Sequence, residues 1–398
     1  IASELRHNGV ISFDLIKTAL NEAISTLPKS DVKPEVDLSD THRFGLPNNP
    51  LPLSQQALDA LEYLWDLLDL STADNIAQHI GDKLIESEEL YFQNNLSGES
   101  HIPGVSPYYA PSLALARTLG PFMETLEHNA MIDRLIRHKN QSVLFVSNQF
   151  RIAIENKLHL LGNPNHFVLL LENLVKNALF FSSKTQFKQK SDRITISLID
   201  GSGYIVLTVY NRGPTIKENQ KDNIFQLGFS TRRTNEHHGK GLGMYFVKEI
   251  VQGYSGNVSV SNVKNSSREY ELSIKTEDDE FYHEYFSIDA SGKRPQLAAV
   301  NRPESLSTLQ LDFTCPIVYV EVRLPKLDLK HTFEQIDEDG CTIIDELDAS
   351  KPMWRIDILR KRQAFKLNFT PLDCQGVEFT VKLPSAEAYL EGDIPCLK

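Results

Sequence analysis

The amino-acid sequence predicts an α+β protein in which a helical hairpin precedes an α/β layered domain that carries a β-rich insertion. Apolar residues recur at helical spacing within the first 95 residues, as in amphipathic helices. Helical and strand patterns then alternate between residues 111 and 263, which is typical of layered α/β domains. Beyond residue 263, short runs such as TLQLDF and AFKLNF indicate further strands.

The first part of the chain, residues 1–95, is predicted to be a dimerising helical hairpin. Residues 2–27 place apolar side chains from Leu5 to Leu27 on one stripe, and 28–53 form a loop rich in Pro and Asp. A second helical pattern starts at Ser54 and continues to Leu84. Two such helices cannot bury their stripes alone, so a second copy is expected to complete a four-helix bundle. The alternative is a hairpin packed on its own chain.

A polar stretch, residues 96–110, is the predicted linker to the layered domain at 111–263. That domain is predicted to have helices at 167–181 and 242–253 and strands at 143–146, 193–198, 204–210 and 257–261.

The end of the chain is unusual because a closing strand of the form Gly-x-x-Phe-x-x-x-Leu-Pro would be expected soon after residue 261. GVEFTVKLP occurs instead at 376–384, and a second candidate, YVEVRLP, occurs at 319–325. The sequence therefore predicts a β-rich insertion or subdomain at 264–375, followed by the closing strand and tail at 376–398.

Composition excludes several classes of protein. A net charge of −12 argues against a nucleic-acid partner, which would require clustered Lys and Arg. No apolar run approaches the length of about 20 residues that a membrane span needs. The four cysteines have no metal-binding spacing and are typical of reduced cytosolic thiols. Because the chain starts at Ile1, we expect it to be the cytoplasmic part of a protein whose sensor region, including any membrane segment, lies upstream.

Asn173 and Asn177, in LENLVKNAL, are four residues apart and share one face of the predicted helix. An amide carbonyl is a hard oxygen ligand that suits Mg²⁺ alongside water and phosphate oxygens. We expect Asn177 to be the metal ligand and Asn173 to lie nearer the phosphates. Taken alone, the pair would be interpreted as two asparagines on a helix surface, and only the neighbouring motifs favour the metal-site interpretation.

The string NRGPTI follows a predicted strand. Gly213 permits a turn that brings the backbone close to a flat ring, and the Asn211 carbonyl can accept a hydrogen bond from an adenine amino group. Asn, Gly and Pro also favour ordinary turns, which is the alternative interpretation.

The string GKGLGM opens a predicted helix, and glycines there let backbone N–H groups face phosphates at the positive helix terminus. The segment before it, 217–240, carries Lys217, Thr231, Arg232, Arg233 and Lys240 and is predicted to be a mobile lid whose cations offset triphosphate charge.

In this order, ENLVKNALFF, NRGPTI, NIFQLGFSTRR and GKGLGMYFVKEI resemble the N, G1, F and G2 boxes of two-component sensor histidine kinases. NLVKNALFF is also similar to the quorum-sensing hybrid type. The resemblance implies a Bergerat-type (GHKL) α/β sandwich that binds ATP and Mg²⁺, a homodimer, and a response-regulator partner. The ATP-binding residues that it implies are Asn173, Lys176, Asn177, Asn211, Gly213, Thr231, Arg232, Gly239, Gly241, Leu242 and Gly243.

Two residues depart from the family pattern. Asn211 stands where the G1 box usually has Asp, and Thr215 replaces its second glycine. Asn can still accept the adenine hydrogen bond, but without charge, so we expect a lower affinity.

Asn173 favours phosphoryl transfer over hydrolysis. Hydrolysing relatives place a Glu there as the base for the attacking water, and Asn cannot take a proton. Glu172 is adjacent but about 100° around the helix, on the wrong face.

The phosphoacceptor has two competing interpretations. SELRHN at 3–8 resembles the acceptor motif, with Glu4 as its acid, but Ser3 occupies the histidine position. His7 lies four residues on and on the same helical face, so it is a candidate acceptor. The alternative is a phosphotransfer-defective pseudokinase that senses nucleotide or binds a regulator.

Overall fold

The structure is a computed structural model, and it describes residues 53–73, 75–96, 107–138, 141–155, 157–185, 187–189, 192–230, 241–299, 306–334, 336, 340–345, 350–361 and 364–392. The predicted helix at 2–27, with Ser3, Glu4 and His7, lies outside these residues. So does the part of the predicted lid at 231–240, with Thr231, Arg232 and Gly239.

The described residues form seven helices and seventeen strands. The helices are α1 (Leu53–Thr72), α2 (Ile76–Leu96), α3 (Pro111–Leu119), α4 (Thr125–Arg137), α5 (Pro164–Ser182), α6 (Gly243–Gly253) and α7 (Ala386–Leu390). The strands are β1 (Tyr108–Tyr109), β2 (Ser142–Val146), β3 (Phe150–Glu155), β4 (Leu160–Leu161), β5 (Ile194–Asp200), β6 (Tyr204–Arg212), β7 (Asn257–Val263), β8 (Arg268–Thr276), β9 (Phe281–Asp289), β10 (Gln296–Ala299), β11 (Leu309–Phe313), β12 (Ile317–Leu324), β13 (Leu329–Phe333), β14 (Gly340–Ile344), β15 (Trp354–Lys361), β16 (Ala364–Pro371) and β17 (Gly376–Pro384).

The layered domain is built on a six-stranded sheet in the order β2-β3-β5-β6-β17-β7. β3 and β5 are parallel, and the other neighbours are antiparallel. Helices α5 and α6 pack against this sheet and against each other. The apolar side of α5, including Phe167, Leu170 and Leu174, is buried with the inward-facing residues of the strands.

Strand β17 lies between β6 and β7, although the chain between β7 and β17 is more than a hundred residues long. Gly376 pairs with both Arg212 and Val263, and a Cβ at Gly376 would lie 2.1 Å from the Asn211 carbonyl oxygen, so only glycine fits. The other candidate for a closing strand, 319–325, belongs mainly to β12 and pairs with β8 and β13 instead.

The segment between β7 and β17 forms a separate β-structure. Its two sheets have the orders β10-β9-β8-β12-β13 and β11-β16-β15-β14. They enclose a second hydrophobic core, in which Trp354 and Phe369 are fully buried and stack at 5.6 Å between ring centroids. Nine strands therefore occupy the region that the sequence assigned to a β-rich insertion.

Helices α1 and α2 differ from the predicted arrangement. The continuous helical pattern from Ser54 to Leu84 is interrupted, because the Asn75 side chain accepts a hydrogen bond from the Gln78 N–H at 3.1 Å and caps a new helix. Helix α2 packs against α6, and Ile80 and Leu84 lie in the core of the layered domain. The α2 part of the predicted stripe is therefore buried on its own chain, whereas Leu64 and Leu68 of α1 are 61% and 44% exposed.

The sequence analysis missed several elements, including the short β1, β4 and α7. Helices α3 and α4 cover residues that it left unassigned, and β3 lies between β2 and β5 in the sheet. None of the helices in the described residues is both long enough and apolar enough to cross a membrane.

Candidate nucleotide-binding site

Helix α5 brings Asn173, Lys176 and Asn177 to one cavity. The helix begins where the Asn163 side chain accepts a hydrogen bond from the Asn165 N–H at 2.9 Å. The Asn173 amide donates to the Leu169 carbonyl at 2.8 Å, which holds its side chain along the helix.

The N-terminus of α6 approaches α5 at this point. A Cβ at Gly243 would lie 2.7 Å from the Asn173 side-chain oxygen, so the absence of a side chain there is required for the two helices to meet. Because free backbone N–H groups at a helix start attract anions, this contact places the Asn173 amide beside a potential phosphate site.

Asn211, the next-to-last residue of β6, also lines the cavity. It is 3% exposed, and its side-chain amide donates to the Arg212 carbonyl at 3.1 Å. Gly213 follows it closely packed, since a Cβ there would lie 2.8 Å from the Phe181 carbonyl oxygen.

Asn262, which the sequence analysis missed, holds the loop after β6. Its side-chain oxygen accepts from the Ile216 N–H at 2.9 Å, and its amide donates to the Ile216 carbonyl at 2.7 Å. Both polar atoms of the Asn262 side chain, on β7, are thus paired to one residue of this loop. They hold Thr215 and Ile216 at the cavity, which both residues line.

Gly241 lies where the described chain resumes after residue 230. Its φ is +68°, and a Cβ there would lie 2.5 Å from the Gly228 carbonyl carbon, so backbone conformation and space both require glycine. The Gly228 N–H donates to the Gly241 carbonyl at 3.2 Å, so these two glycines are held directly together.

The resulting cavity has a volume of about 630 Å³. Seven of the predicted residues line it, namely Asn173, Lys176, Asn177, Asn211, Gly241, Leu242 and Gly243. The sequence analysis missed the apolar part of the lining, which includes Phe181, Ile224, Phe229, Met244, Val377 and Phe379. Val377 and Phe379 belong to β17, which is more than a hundred residues from the other cavity residues in the sequence. They are ordinary apolar strand residues, so nothing in the sequence indicates that they line this site.

In the part of the chain that the structure describes, the charged side chains that line the cavity are the lysines Lys176 and Lys217, whereas Glu172 lies outside it. Lys176 lines it and pairs with Glu172 at 2.9 Å, while Lys217 adds an exposed cation on the loop after β6. Glu172 is outside the lining, and the Tyr63 hydroxyl of α1 donates to its carboxylate at 3.0 Å. Glu172 is thus held by other side chains, on a different side of α5 from the cavity.

A second ionic cluster lies behind Asn211. Arg212 is 5% exposed and donates to Asp192 at 2.7 Å and to Asp373 at 2.8 Å. Burial opposes its charge, but the hydrogen bonds and charges of the two carboxylates prevail and raise the pKa of Arg212. This cluster fixes the end of β6 to the base of the β-rich segment.

Among the described residues, no group of three or more His, Cys, Asp or Glu side chains is arranged to hold a metal ion. A cation here would depend on the Asn177 amide oxygen together with phosphate oxygens, a donor set that suits Mg²⁺.

Comparison with known families agrees with this geometry. Residues 162–278 match the family described as histidine kinase-, DNA gyrase B-, and HSP90-like ATPases. The match includes α5, β6, the cavity loops and α6, so this part of the chain is similar to ATPase domains of that type. Its similarity to sensor proteins supports a two-component sensor histidine kinase as the class of protein.

Three curated relatives illustrate the similarity. The sensor protein EvgS of Escherichia coli O157:H7 is 25% identical over 38% of this chain and 12% of its own length. The heme sensor protein HssS of Staphylococcus haemolyticus is 25% identical over 35% of this chain and 29% of its length. The sensor histidine kinase CpxA of Escherichia coli K12 is 30% identical over 26% of this chain and 21% of its length. The chain therefore spans less than a third of each of these relatives.

Solved structures of sensor kinases show a weaker likeness. The mycobacterial sensor histidine kinase MprB superposes with a TM-score of 0.29 at 16% identity, covering 41% of this chain and 89% of that chain. The catalytic domain of histidine kinase ThkA gives a TM-score of 0.28 at 21% identity, covering 40% and 88%. At these scores the superpositions add nothing to the family match.

Proposed function

We propose that this chain is the catalytic region of a sensor histidine kinase, which binds Mg-ATP and transfers the γ-phosphoryl group to a histidine for relay to a response regulator. The observation that carries the proposal is the convergence of Asn173, Asn177, Asn211 and Gly243 on one cavity. These residues come from three separate motifs, and the ATPase family match includes all of them.

The cavity walls support a division of roles. The apolar side chains around Asn211 suit a flat purine. The Asn211 side-chain carbonyl would accept a hydrogen bond from the amino group of that purine. At the other end, Asn173, Lys176, Asn177 and the start of α6 would face the phosphates. Asn177 would hold Mg²⁺, which offsets phosphate charge during transfer. Gly213, Leu242 and the glycine at 241 would shape the loops, and Thr231, Arg232 and Gly239 would close the lid.

Transfer to a protein acceptor is favoured over hydrolysis, because no general base among the described residues points at the phosphate end. Asn173 cannot take a proton, and Glu172 is bonded to Tyr63 and Lys176 outside the cavity. The acceptor would be His7, with Glu4 beside it, in a homodimer formed through the N-terminal helix. The native setting would be the cytoplasmic side of a membrane-bound sensor.

Labelling with γ-labelled Mg-ATP tests the proposal. Acid-labile label should appear on His7 and disappear in His7→Gln and Asn177→Ala, because the first removes the acceptor and the second the metal ligand. His138→Gln, at an exposed helix end, is the matched control and should label normally. Label on no histidine at all would contradict an active kinase.

A second candidate function is a pseudokinase that binds nucleotide without transferring phosphoryl. Ser3 in the acceptor position and Asn211 in place of Asp favour it. ATP binding by calorimetry without any histidine label would select this function. In that case Ser3→His should restore labelling, provided that the rest of the site is intact.

A further inference from the structure

Helix α1 is joined to the nucleotide cavity through three side chains. The Tyr63 hydroxyl donates to Oε2 of Glu172 at 3.0 Å, and Nζ of Lys176 donates to the same oxygen at 2.9 Å. Lys176 lines the cavity beside Asn173 and Asn177, whereas Tyr63 belongs to a different helix. One carboxylate oxygen therefore connects α1 to a cation of the site.

This connection combines an ion pair whose Lys176 side chain is 55% exposed with a partly buried hydrogen bond from Tyr63 to the same carboxylate. A Glu–Lys pair four residues apart on an exposed helix contributes only about 0.3–0.5 kcal/mol. Here Glu172 is 21% exposed, and Tyr63 is partly buried with the Arg117 guanidinium 5.5 Å from its ring centre. Burial, followed by the charge of Glu172, raises the pKa of Tyr63, so its hydroxyl stays protonated and remains a donor.

Helix α1 is also held at the start of α5. The Asp66 carboxylate accepts from the side-chain amides of Asn163 at 2.9 Å and Asn165 at 2.6 Å. Its negative charge lies near the positive end of the α5 dipole. Tyr63 and Asp66 are three residues apart on one face of α1, so the contact with Glu172 is made by a helix that a second polar contact keeps in register.

We propose that Lys176 changes partner from Glu172 to the nucleotide phosphates, and that Tyr63 is a positioning residue that stabilises the carboxylate which Lys176 leaves. This inference rests on the proposed nucleotide site and adds to it a link between that site and helix α1. When the ammonium turns toward a phosphate, Glu172 keeps the Tyr63 hydroxyl as a donor. The Tyr63–Glu172 hydrogen bond then becomes stronger, since its acceptor no longer shares its charge with a cation.

Two consequences follow. The Tyr63 hydroxyl should favour binding of polyphosphates but not of adenosine, which has no phosphate to attract Lys176. Because coupling between two sites is reciprocal, bound ATP should in turn hold α1 more firmly against α5.

The test compares binding of Mg-ATP and adenosine to the full chain by calorimetry. Tyr63→Phe should weaken Mg-ATP binding roughly three- to tenfold and leave adenosine unchanged, because the substitution removes from the binding equilibrium only the strengthening of one hydrogen bond to a charged group, which is a fraction of that bond's full contribution. In a Glu172→Ala background the same substitution should have no effect on Mg-ATP. Tyr285→Phe is the matched control, because Tyr285 donates to Glu271 at 2.9 Å on the distant β-rich segment.

Hydrogen exchange supplies a second readout that does not depend on affinity. Mg-ATP should slow amide exchange in residues 60–70 of the unmodified chain, and this protection should be lost in Tyr63→Phe. A merely structural role predicts equal losses for ATP and adenosine, and such a result would overturn the inference while leaving the nucleotide site in place. If the unmodified chain binds neither nucleotide, both the proposed function and the inference are wrong.

Discussion

At the scale of single residues, Asn211 and Arg212 show how one side chain of a strand positions the next. Asn211 faces the cavity, while its neighbour Arg212 points to the other side of β6 and is enclosed by two carboxylates. Alternation along a strand explains this pairing, because successive side chains point to opposite faces. One residue is therefore available to a ligand because the next one anchors the strand.

Protonation of His166 should lower the stability of the fold. His166 is 3% exposed at the start of α5, and burial, with smaller effects from His79 and Lys83, lowers its pKa to about 3. The unfolded chain, with a pKa near 6.5, binds a proton more readily than the folded protein does. The contribution of the neutral His166 side chain to the free energy of unfolding is therefore complete above pH 6.5, and it is lost as the pH falls toward 3.

We expect the free energy of unfolding to fall by about 1.4 kcal/mol per pH unit below about pH 6 through this residue. Urea titrations between about pH 7 and about pH 4 should show a shallower slope in His166→Gln than in the unmodified chain. The control for the substitution itself is His138→Gln, which makes the same change at an exposed position. Equal slopes in all three proteins would refute the assignment.

At the level of secondary-structure elements, α2 shows that a repeating apolar pattern does not say what it packs against. The helical pattern from Ser54 to Leu84 correctly indicates helix, although the chain forms two helices there instead of one, and it does not say which of two partners buries the apolar residues. Close packing selects α6 of the same chain over a second copy as the partner of α2. A Cβ at Gly253 would lie 2.6 Å from the Ile80 Cβ, so α2 can approach α6 this closely only because α6 has a glycine there. A glycine at a helix end gives no sequence signal for such a contact, because glycine is also an ordinary residue at helix C-termini.

The same helix provides a matched pair of substitutions. Ile80 is fully buried and Ile85 is 50% exposed, on one helix and with the same side chain. Ile80→Ala should reduce the free energy of unfolding by about 2–5 kcal/mol, and Ile85→Ala by less than about 0.5 kcal/mol. Chemical denaturation measures both. Similar losses would mean that α2 is not packed on the ATPase domain.

In the molecule as a whole, the β-rich segment replaces the turn of a hairpin. Val263 of β7 and Gly376 of β17 are direct partners, so the chain leaves the sheet and returns at adjacent positions. The two hydrophobic cores are distinct, and Arg212 with Asp373 joins them at the point of exit.

Removing the segment tests this architecture. Replacing 264–375 with an Asn-Gly turn should leave a folded ATPase domain with unchanged ATP affinity, since the turn suits adjacent antiparallel strands and Arg212 keeps its two bonds to Asp192. Adding Asp192→Asn to that protein should lower its free energy of unfolding by about 3–5 kcal/mol, because Arg212 would then be buried with neither carboxylate as a partner. Circular dichroism and calorimetry measure these effects. Loss of ATP binding in the first variant would show that the segment is part of the site.

The sequence by itself determined the helices and strands that carry the motifs, the family of the ATPase domain and most of the polar cavity residues. These depend on local periodicity, turn chemistry and short strings, all of which can be read within a few dozen residues. The tertiary structure decided which strand closes the sheet and what buries α2. It also decided which apolar side chains line the cavity and that Asn262 holds the loop after β6. Those outcomes depend on contacts between residues far apart in the chain, where close fit rather than residue type selects the partner.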